Sequence, residues 1–430
     1  MQKSSIQYIL KLSIPIFFAN LAVPLVGIID TALMGNLGNL SYLSATAVAA
    51  NLFSMIFWSF GFLRMGTVGM VSQAHGRNDY SEILNIVIRN LIFVLLISII
   101  IILLQNYILN LSLKIFDLSD ATRNFYIQYV QIRVYSAPGE LTIYIITGLF
   151  IGLQKTKISS FAVGFFSILN ILISVVLVTK FDLNIKGVAY GTLFSALITS
   201  TIFLIYMFCY LSKYTKITIN LTQIVNLKKI KDIFNINLNI FIRTVLLTFS
   251  FLWFTYLGTQ IGEDYVAANA ILINLVFLSA FILDAYAFST EGIVGYSLGK
   301  KDLNLFKQII KNSFILSSLS GLVISIIYLF TYDHVINLMS DIKEIRELST
   351  SYVVWLIILP IISSFCYQFD GIFIGTSQTK ELRNAMIFSV LIYLIISILL
   401  TKFLFNTGIW ISLCIFMILR AISLFYYLDK

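Results

Sequence analysis

Charged residues are scarce in this sequence. They make up 11% of its 430 residues, whereas hydrophobic residues make up 59% and the mean hydropathy is +0.93. A soluble protein of this size needs far more charge on its surface. Cysteine is scarce too, and its three residues argue against a disulfide framework. No stretch is polar and long enough to form a separate soluble domain.

Long apolar runs take the place of the missing charge. A run of about 18 residues or more is what a bilayer-spanning helix needs, and the alternating pattern of a membrane β-barrel is absent. We therefore predict an all-α integral membrane protein with twelve transmembrane helices. The predicted spans lie near residues 10–33, 43–72, 85–109, 125–150, 158–179, 187–211, 234–259, 265–297, 310–330, 350–375, 385–402 and 406–427.

The net charge of +9 is distributed unevenly between the two sides that these spans define. Twelve spans place both termini on one side. That side holds 19 lysines and arginines against 7 on the other, with Arg89 and Arg420 counted among the 19. Such a bias marks the cytoplasmic side and explains the basic pI without a nucleic-acid partner. We expect a multi-pass protein of a bacterial inner (plasma) membrane, with cytoplasmic termini, that contacts anionic lipid headgroups.

The sequence contains an internal repeat. Residues 148–157 read GLFIGLQKTK and residues 371–380 read GIFIGTSQTK, which is an offset of 223. The same offset aligns a distant region, where Asp79 meets Asp302. One offset that serves two regions without a gap indicates two homologous halves of six helices each. We predict a parallel repeat, with the halves related by a pseudo-twofold axis along the membrane normal.

The repeat divides the chain into an N-terminal six-helix lobe at residues 1–211, a cytoplasmic linker at 212–233 and a C-terminal six-helix lobe at 234–430. The basic linker is predicted either as a short amphipathic surface helix or as solvated chain. Two such lobes suit transport by alternating access. A GxxxxGK[ST] phosphate loop is absent, so we expect no ATP hydrolysis. A transporter of this kind is also expected to be no enzyme and to bind no cofactor. An ion gradient, of protons or sodium, is the remaining energy source.

Ion coupling requires ionisable groups inside the membrane, where each charge costs about 2.5–3.5 kcal/mol. Asp30 lies in the outer part of helix 1, beyond Pro15 and Pro24, which remove backbone hydrogen bonds and favour bending. It is either a structural carboxylate paired with an arginine such as Arg133 or a proton or cation site, since burial disfavours the charged form of a carboxyl group. The charged residues within the predicted spans are Asp30, Arg64, Arg133, Glu140, Arg243, Asp284, Glu291 and Asp370.

The second half carries a different set of candidates. Asp284 and Glu291 lie seven residues apart on one face of helix 8. Asp370 lies on helix 10, just before the repeated GIFIG. Arg243 on helix 7 is expected to pair with one of these acids. The three acids are candidates both for a polar site and for structural roles.

The segment PIFFANLAVPLVGIIDTALMGNLG, with ATAVAANLF and VSQAHGRND after it, resembles helices 1 and 2 of the multidrug and toxic compound extrusion (MATE) family. In the second half, LDAYAFSTEGIVGYSLGKKD and YQFDGIFIGTSQTKELRNAM resemble the DinF-type branch of that family. The resemblance covers essentially the whole chain. It implies a secondary antiporter that expels small organic compounds, often cationic or amphipathic, in exchange for protons or sodium.

The resemblance also implies roles for residues. The helix 1 aspartate that couples transport in DinF-like members matches Asp30, and Pro15 matches a proline linked to helix bending. An asparagine and a threonine of the same polar network match Asn170 and Thr192. Ser174 stands where that network often has a second aspartate. A site with one carboxylate favours a proton as the coupling ion. Binding of sodium near Asp30 is the alternative.

Two other functions are alternatives to the antiporter. A lipid-linked saccharide flippase of the same superfamily needs a cationic cleft for a pyrophosphate, whereas the acids in these spans outnumber the arginines five to three. A scaffold without transport would not explain carboxylates kept inside the bilayer. We also note Phe288, where DinF relatives often have histidine. The protein is expected to act as a monomer.

Overall fold

The computed structural model describes residues 5–116, 118–217 and 221–428. The regular elements in these residues are helices, the conformation in which a membrane-spanning segment satisfies its own backbone hydrogen bonds. A 3-10 turn, Val134–Ser136, joins α6 to α7. The α-helices are α1 Ile6–Gly35, α2 Leu40–Ser59, α3 Phe62–Gly76, α4 Tyr80–Leu103, α5 Gln105–Ile115, α6 Asp120–Arg133, α7 Ala137–Gly152, α8 Thr156–Thr179, α9 Asn184–Leu211, α10 Leu221–Ile224, α11 Leu227–Ile261, α12 Glu263–Gly299, α13 Leu303–Met339, α14 Lys343–Ser351, α15 Val353–Gly375 and α16 Thr379–Leu428.

Eleven helical segments of the described chain are long and apolar enough to cross a membrane. The last of them, α16, holds two of the predicted spans, because its backbone leaves helical geometry at Phe405 (φ 49°, ψ −131°). The twelve predicted spans are thus confirmed as helical. Two of them are interrupted. The helix is interrupted between Ser59 and Phe62. It is interrupted again before α7, where Pro138 occupies the first turn, in which its missing backbone N–H costs no hydrogen bond.

The chain folds as two compact units. Phe18–Phe234 forms the N-terminal unit, and Met1–Phe17 together with Asn235–Lys430 forms the C-terminal unit. The beginning of α1 therefore belongs with the C-terminal unit. There the hydroxyl oxygen of Ser13 lies 2.8 Å from that of Ser289 on α12, within hydrogen-bond distance.

The cytoplasmic linker at 212–233 contains a single helical turn, α10. This turn is held by Arg89 of α4, which donates to the carbonyls of Gln223 (2.7 Å) and Ile224 (3.2 Å). Arg89 also pairs with Glu82 at 3.2 Å, and Glu82 pairs with Lys229 at the start of α11. Arg89, counted above with the cytoplasmic charges, is therefore a buried residue that fastens the junction.

The two halves of the chain repeat the same local geometry. Non-glycine residues with positive φ recur 223 positions apart, where each helix connection turns. The pairs are Asn78 and Lys301 (57° and 59°), Gln154 and Ser377 (both 59°), and Asp182 and Phe405 (51° and 49°). Phe405 thus marks the same turn that separates α8 from α9, which explains why α16 holds two spans. The predicted repeat is confirmed.

Each unit also contains the same close approach between two helices. A Cβ atom at Gly148 would lie 2.7 Å from the carbonyl oxygen of Arg64, so α7 packs directly on the backbone of α3. A Cβ atom at Gly371 would lie 2.7 Å from the carbonyl oxygen of Ala287, so α15 packs in the same way on α12. The repeated glycines therefore serve helix packing, as small residues commonly do in membranes.

Candidate functional site

Asp30 lies near the end of α1, in the N-terminal unit. Only 7% of its surface is exposed, and its Oδ1 atom is buried without a hydrogen-bond partner among the described residues. Pro15 and Pro24 both lie inside α1, which continues from Ile6 to Gly35. An unpartnered buried carboxylate oxygen carries a desolvation cost, so Asp30 is the leading candidate for a functional group in this unit.

Arg133, the last residue of α6, is not hydrogen-bonded to Asp30. Its guanidinium pairs instead with Glu140 on α7, with Nη2 lying 3.3 Å from Oε2 and Nη1 in contact with Oε1. The same Nη1 donates to Ser136 Oγ. Arg133, the arginine suggested as a partner in the structural alternative for Asp30, thus pairs with Glu140 instead.

The other N-lobe candidates meet between α8 and α9. Asn170 Nδ2 donates to Thr192 Oγ1 at 2.9 Å, and Ser174 Oγ lies 3.5 Å from Asn170 Oδ1. All three side chains are buried. Gly191 of α9 allows this approach, because a Cβ atom there would collide with Ser174. The three residues selected by the family resemblance are therefore in contact.

The structure does not join Asp30 to this group by a hydrogen bond within the described residues. The C-terminal unit shows how the equivalent positions are related. Trp253 and Ser397, the counterparts of Asp30 and Ser174 at the offset of 223, are linked by a 2.9 Å hydrogen bond from Trp253 Nε1 to Ser397 Oγ. A long side chain thus bridges two positions that the shorter Asp30 leaves unbridged.

In the C-terminal unit, Asp370 of α15 is held by two arginines. Its Oδ2 atom accepts hydrogen bonds from Arg243 of α11 and from Arg420 of α16, the latter at 2.7 Å. The expected pairing of Arg243 with one of the second-half acids is therefore seen. Three helices are tied together by one carboxylate, with all three side chains buried.

Sequence reasoning missed Arg420. It was counted with the cytoplasmic charges, yet only 1% of its surface is exposed. Its place inside the last apolar run, at 406–427, was the one available signal. Arg89 is buried too and lies within the predicted span 85–109, so five acids stand against five arginines and the predicted excess of acids disappears.

Asp284 and Glu291 do not form a paired site. Seven helical residues separate them by about 10 Å along the axis of α12. Asp284 is half-buried. Glu291 is fully buried where the backbone of α12 contacts Gly375 of α15.

The helices and their buried charges indicate the class of protein. Repeated units of apolar helices, with a few buried charges in each, are typical of a membrane transporter. The chain belongs to the MatE family, whose model matches residues 15–176 and 240–399. The two matched segments end 223 positions apart, the offset of the internal repeat. The resemblance to the MATE family inferred from the sequence is thereby confirmed.

Curated relatives agree with this assignment. The chain is 30% identical to the DNA damage-inducible protein F of Escherichia coli over 421 residues, which cover 98% of this chain and 91% of the relative. It is 23% identical to the multidrug export protein MepA of Staphylococcus saprophyticus, over 91% of this chain and 85% of that protein. The DinF-type resemblance therefore extends over nearly the full length.

Solved structures share the fold. A MOP superfamily transporter from Pyrococcus furiosus superimposes with a TM-score of 0.87 at 18% identity, covering 97% of this chain and 94% of that one. A multidrug resistance MATE family transporter solved in an outward-facing conformation gives the same TM-score, identity and coverage. The predicted fold class, an all-α membrane protein of the MATE and MOP type, is confirmed.

Proposed function

We propose that this protein is a secondary active antiporter that exports small organic compounds in exchange for protons, with Asp30 as the coupling carboxylate. The observation that carries the proposal is the contrast between two buried aspartates. Oδ1 is buried without a partner in both residues. Oδ2 of Asp370 accepts hydrogen bonds from two guanidinium groups, whereas no guanidinium group among the described residues is hydrogen-bonded to Asp30. A carboxylate in that position can bind a proton and release it, because neither form is fixed by a hydrogen bond.

The proton changes what Asp30 can bind. When protonated, Asp30 donates one hydrogen bond, and when ionised it only accepts. Asn170, Ser174 and Thr192 offer amide and hydroxyl groups on α8 and α9. The hydrogen bond between Trp253 and Ser397 supports the view that the equivalent positions of the N-terminal unit can be bridged. Movement of α1, which contains Pro15 and Pro24, would then depend on the protonation of Asp30.

We infer a proton rather than sodium as the coupling ion. The position that would hold a second carboxylate is Ser174, and a single carboxylate suits a proton better than a metal cation. We further propose that the C-terminal acids Asp284, Glu291 and Asp370 stabilise their unit and do not exchange protons during transport. Sodium bound near Asp30 is the competing possibility that the first experiment separates.

The membrane setting follows the same reasoning. The chain is a multi-pass membrane protein. We propose that it lies in a bacterial inner membrane as a monomer with both termini in the cytoplasm, since the excess of lysine and arginine falls on that side. Organic cations and amphipathic molecules are the proposed substrates, and lipids the proposed surroundings. The chain needs no cofactor for this activity.

Ethidium efflux from proteoliposomes tests the proposal. Wild type, Asp30→Asn and Asp120→Asn are compared under an imposed pH gradient and then under a sodium gradient. Asp120 is exposed at the start of α6, so its variant makes the same charge change away from the site. We expect proton-driven efflux in wild type and Asp120→Asn, and a rate equal to that of protein-free liposomes in Asp30→Asn.

Other outcomes redirect the assignment. Full efflux by Asp30→Asn would reject the coupling role of Asp30 and move it to the C-terminal acids. Efflux driven by sodium alone would replace the proton as coupling ion. If a panel of organic cations were not transported under either gradient, the antiporter would be rejected. The lipid-linked saccharide flippase, which the family and its curated relatives do not favour, would be assayed next.

A further inference from the structure

A pocket of about 140 Å³ lies between α11 and α12 in the C-terminal unit. Phe254, Val266 and Ile273 form its apolar walls, and the residues that line it carry no charge. Gly258 of α11 leaves the space open, because a Cβ atom there would have no neighbour closer than 3.5 Å. An apolar cavity of about 150 Å³ admits a benzene ring. The pocket is therefore large enough for one aromatic ring.

Asn269 of α12 lines the pocket, and its side-chain amide is fixed by three hydrogen bonds. Its Nδ2 atom donates to Asn406 Oδ1 at 2.7 Å, and Asn406 Nδ2 donates back to Asn269 Oδ1 at 3.0 Å. Trp410 Nε1 donates to the same Oδ1 atom at 2.9 Å. Because an indole N–H can only donate, it determines which end of the Asn269 amide is the oxygen. The Asn269 side chain thus has one orientation.

This fixed amide presents a hydrogen-bond donor to the pocket. An amide nitrogen carries two N–H groups, and Asn406 accepts one of those on Asn269. Among the described residues, no second acceptor is hydrogen-bonded to that nitrogen. Asn269 Nδ2 lies 3.7 Å from the place of a Cβ atom on Gly258, so it borders the open space. Only 4% of the Asn269 surface is exposed. A buried donor without an acceptor is costly, and a ligand with an acceptor atom would remove that cost.

The repeated scaffold does not require this amide network. The N-terminal unit keeps the glycine, since Gly35 is the counterpart of Gly258 at the offset of 223. It does not keep the amide or its two partners. The counterparts of Asn269, Asn406 and Trp410, in the same order, are Thr46, Leu183 and Gly187. The fixed donor is therefore an addition of the C-terminal unit, which indicates a role beyond packing.

The mouth of the pocket is polar. Thr255 and Asn274 line it, and both residues are exposed. Polar side chains within membrane spans face protein or a water-filled cavity and avoid lipid. The mouth thus suits a ligand that arrives from water.

We propose that this pocket binds a neutral organic molecule, with an aromatic ring against Phe254 and a carbonyl or ether oxygen that accepts the second N–H of Asn269. An apolar wall with one placed polar group is the usual composition of a small-molecule site. A cation would find no opposite charge there, because no lining residue is charged. The inference goes beyond the proposed exchange of organic cations for protons. It depends neither on Asp30 nor on the coupling ion.

Nuclear magnetic resonance of the indole N–H groups tests this site without transport. The chain has four tryptophans, and ¹⁵N-labelled tryptophan gives one signal for each in detergent, with Trp410→Phe identifying the signal of Trp410. Acetophenone, a ring with one carbonyl oxygen, is titrated into wild type and Gly258→Leu, in which the new side chain fills the pocket. Gly35→Leu is the matched control, since nothing lies within 4 Å of a Cβ atom at that glycine. Isopropylbenzene, which has nearly the same shape and no acceptor, is titrated into wild type.

We expect acetophenone to shift the Trp410 signal saturably in wild type and Gly35→Leu, and not in Gly258→Leu. Isopropylbenzene should bind about threefold to tenfold more weakly, because it leaves the Asn269 N–H without an acceptor. An equal shift in Gly258→Leu would place the ligand elsewhere and overturn the inference.

Two further results would also overturn it. Equal affinity for the two molecules would make the pocket a plain apolar cavity. Absence of a saturable shift in wild type would exclude the ring, and a shift on adding phospholipid instead would assign the pocket to an acyl chain. If Gly258→Leu does not fold, the ratio of the two affinities in wild type decides alone. Failure of proton-driven efflux would reject the antiporter and leave this binding result unchanged.

Discussion

The two units share a scaffold and differ in their buried charges. The close approach of α7 to α3 through Gly148 recurs in that of α15 to α12 through Gly371, and the helix connections turn at equivalent residues. The buried charged residues differ between the two units. The differences, written from N-terminal to C-terminal unit, are Asp30 to Trp253, Arg133 to Leu356, Glu140 to Ser363 and Thr147 to Asp370.

This difference separates packing from chemistry. The backbone contacts at Gly148 and Gly371 leave no free space for a Cβ atom, and both units keep them. Buried charges depend only on local partners, so each unit has its own arrangement. Both aspartates have a buried Oδ1 atom without a partner. The C-terminal unit places two guanidinium groups against Oδ2 of Asp370, whereas no guanidinium group among the described residues is hydrogen-bonded to Asp30. We expect the first to be needed for transport and the second for stability.

The largest effect should come from Asp370→Asn. This change leaves two buried guanidinium groups without their shared anion, which typically costs about 3–5 kcal/mol of unfolding free energy. Asp30→Asn breaks no hydrogen bond and removes a buried charge, so we expect a change below about 1 kcal/mol. Unfolding in detergent, followed by tryptophan fluorescence, measures both, with Asp120→Asn as the control. Equal destabilisation by the two variants would mean that the units use their aspartates alike.

A smaller and symmetrical effect is expected at the packing glycines. Gly148→Ala and Gly371→Ala each place a methyl group about where a backbone carbonyl already lies, which should cost about 1–3 kcal/mol. Gly164→Ala on α8 is the control. Nothing lies within 4 Å of its added Cβ atom, so the better helix former should be neutral or stabilising by up to about 1 kcal/mol. Thermal unfolding in detergent gives the comparison. Clearly unequal losses at Gly148 and Gly371 would show that the scaffold is less symmetrical than its backbone.

The fold could be predicted largely from the sequence, because the apolar runs and the repeat that specify it each extend over many residues. Apolar runs and a single offset of 223 predicted the twelve spans and the repeat. The breaks inside spans were missed at Ser59 and Phe62, since an apolar run has the same composition whether the helix is continuous or interrupted.

The candidate site could be predicted less completely. The contact among Asn170, Ser174 and Thr192 followed from the family resemblance, and the pairing of Arg243 followed from the cost of an isolated charge. The partner of Arg133 did not follow, because Glu140 and Asp30 are equally plausible from spacing. Arg420 was misplaced because an arginine near the end of a span resembles a surface anchor until its carboxylate partner is known.

The smallest effect is expected at an aspartate that caps the N-terminus of a helix in both units. Its measurement separates the contribution of the negative charge from that of the hydrogen bond. Asp302 caps α13 by accepting the Leu305 N–H at 3.0 Å, as Asp79 caps α4 by accepting the Glu82 N–H at 2.9 Å. The bond from Leu305 holds the pKa of Asp302 below its ordinary value of 3.8. A depressed carboxyl pKa stabilises the fold above the unfolded pKa, and that stability is lost as the pH falls through the folded pKa.

Asp302→Ala should therefore lower the melting temperature slightly at neutral pH, and the difference from wild type should shrink below about pH 4. Asp302→Asn keeps an acceptor that does not titrate, so its melting curve should show no such pH dependence. If alanine and wild type differed by the same amount throughout the acid titration, the cap would act through its shape and not through its charge.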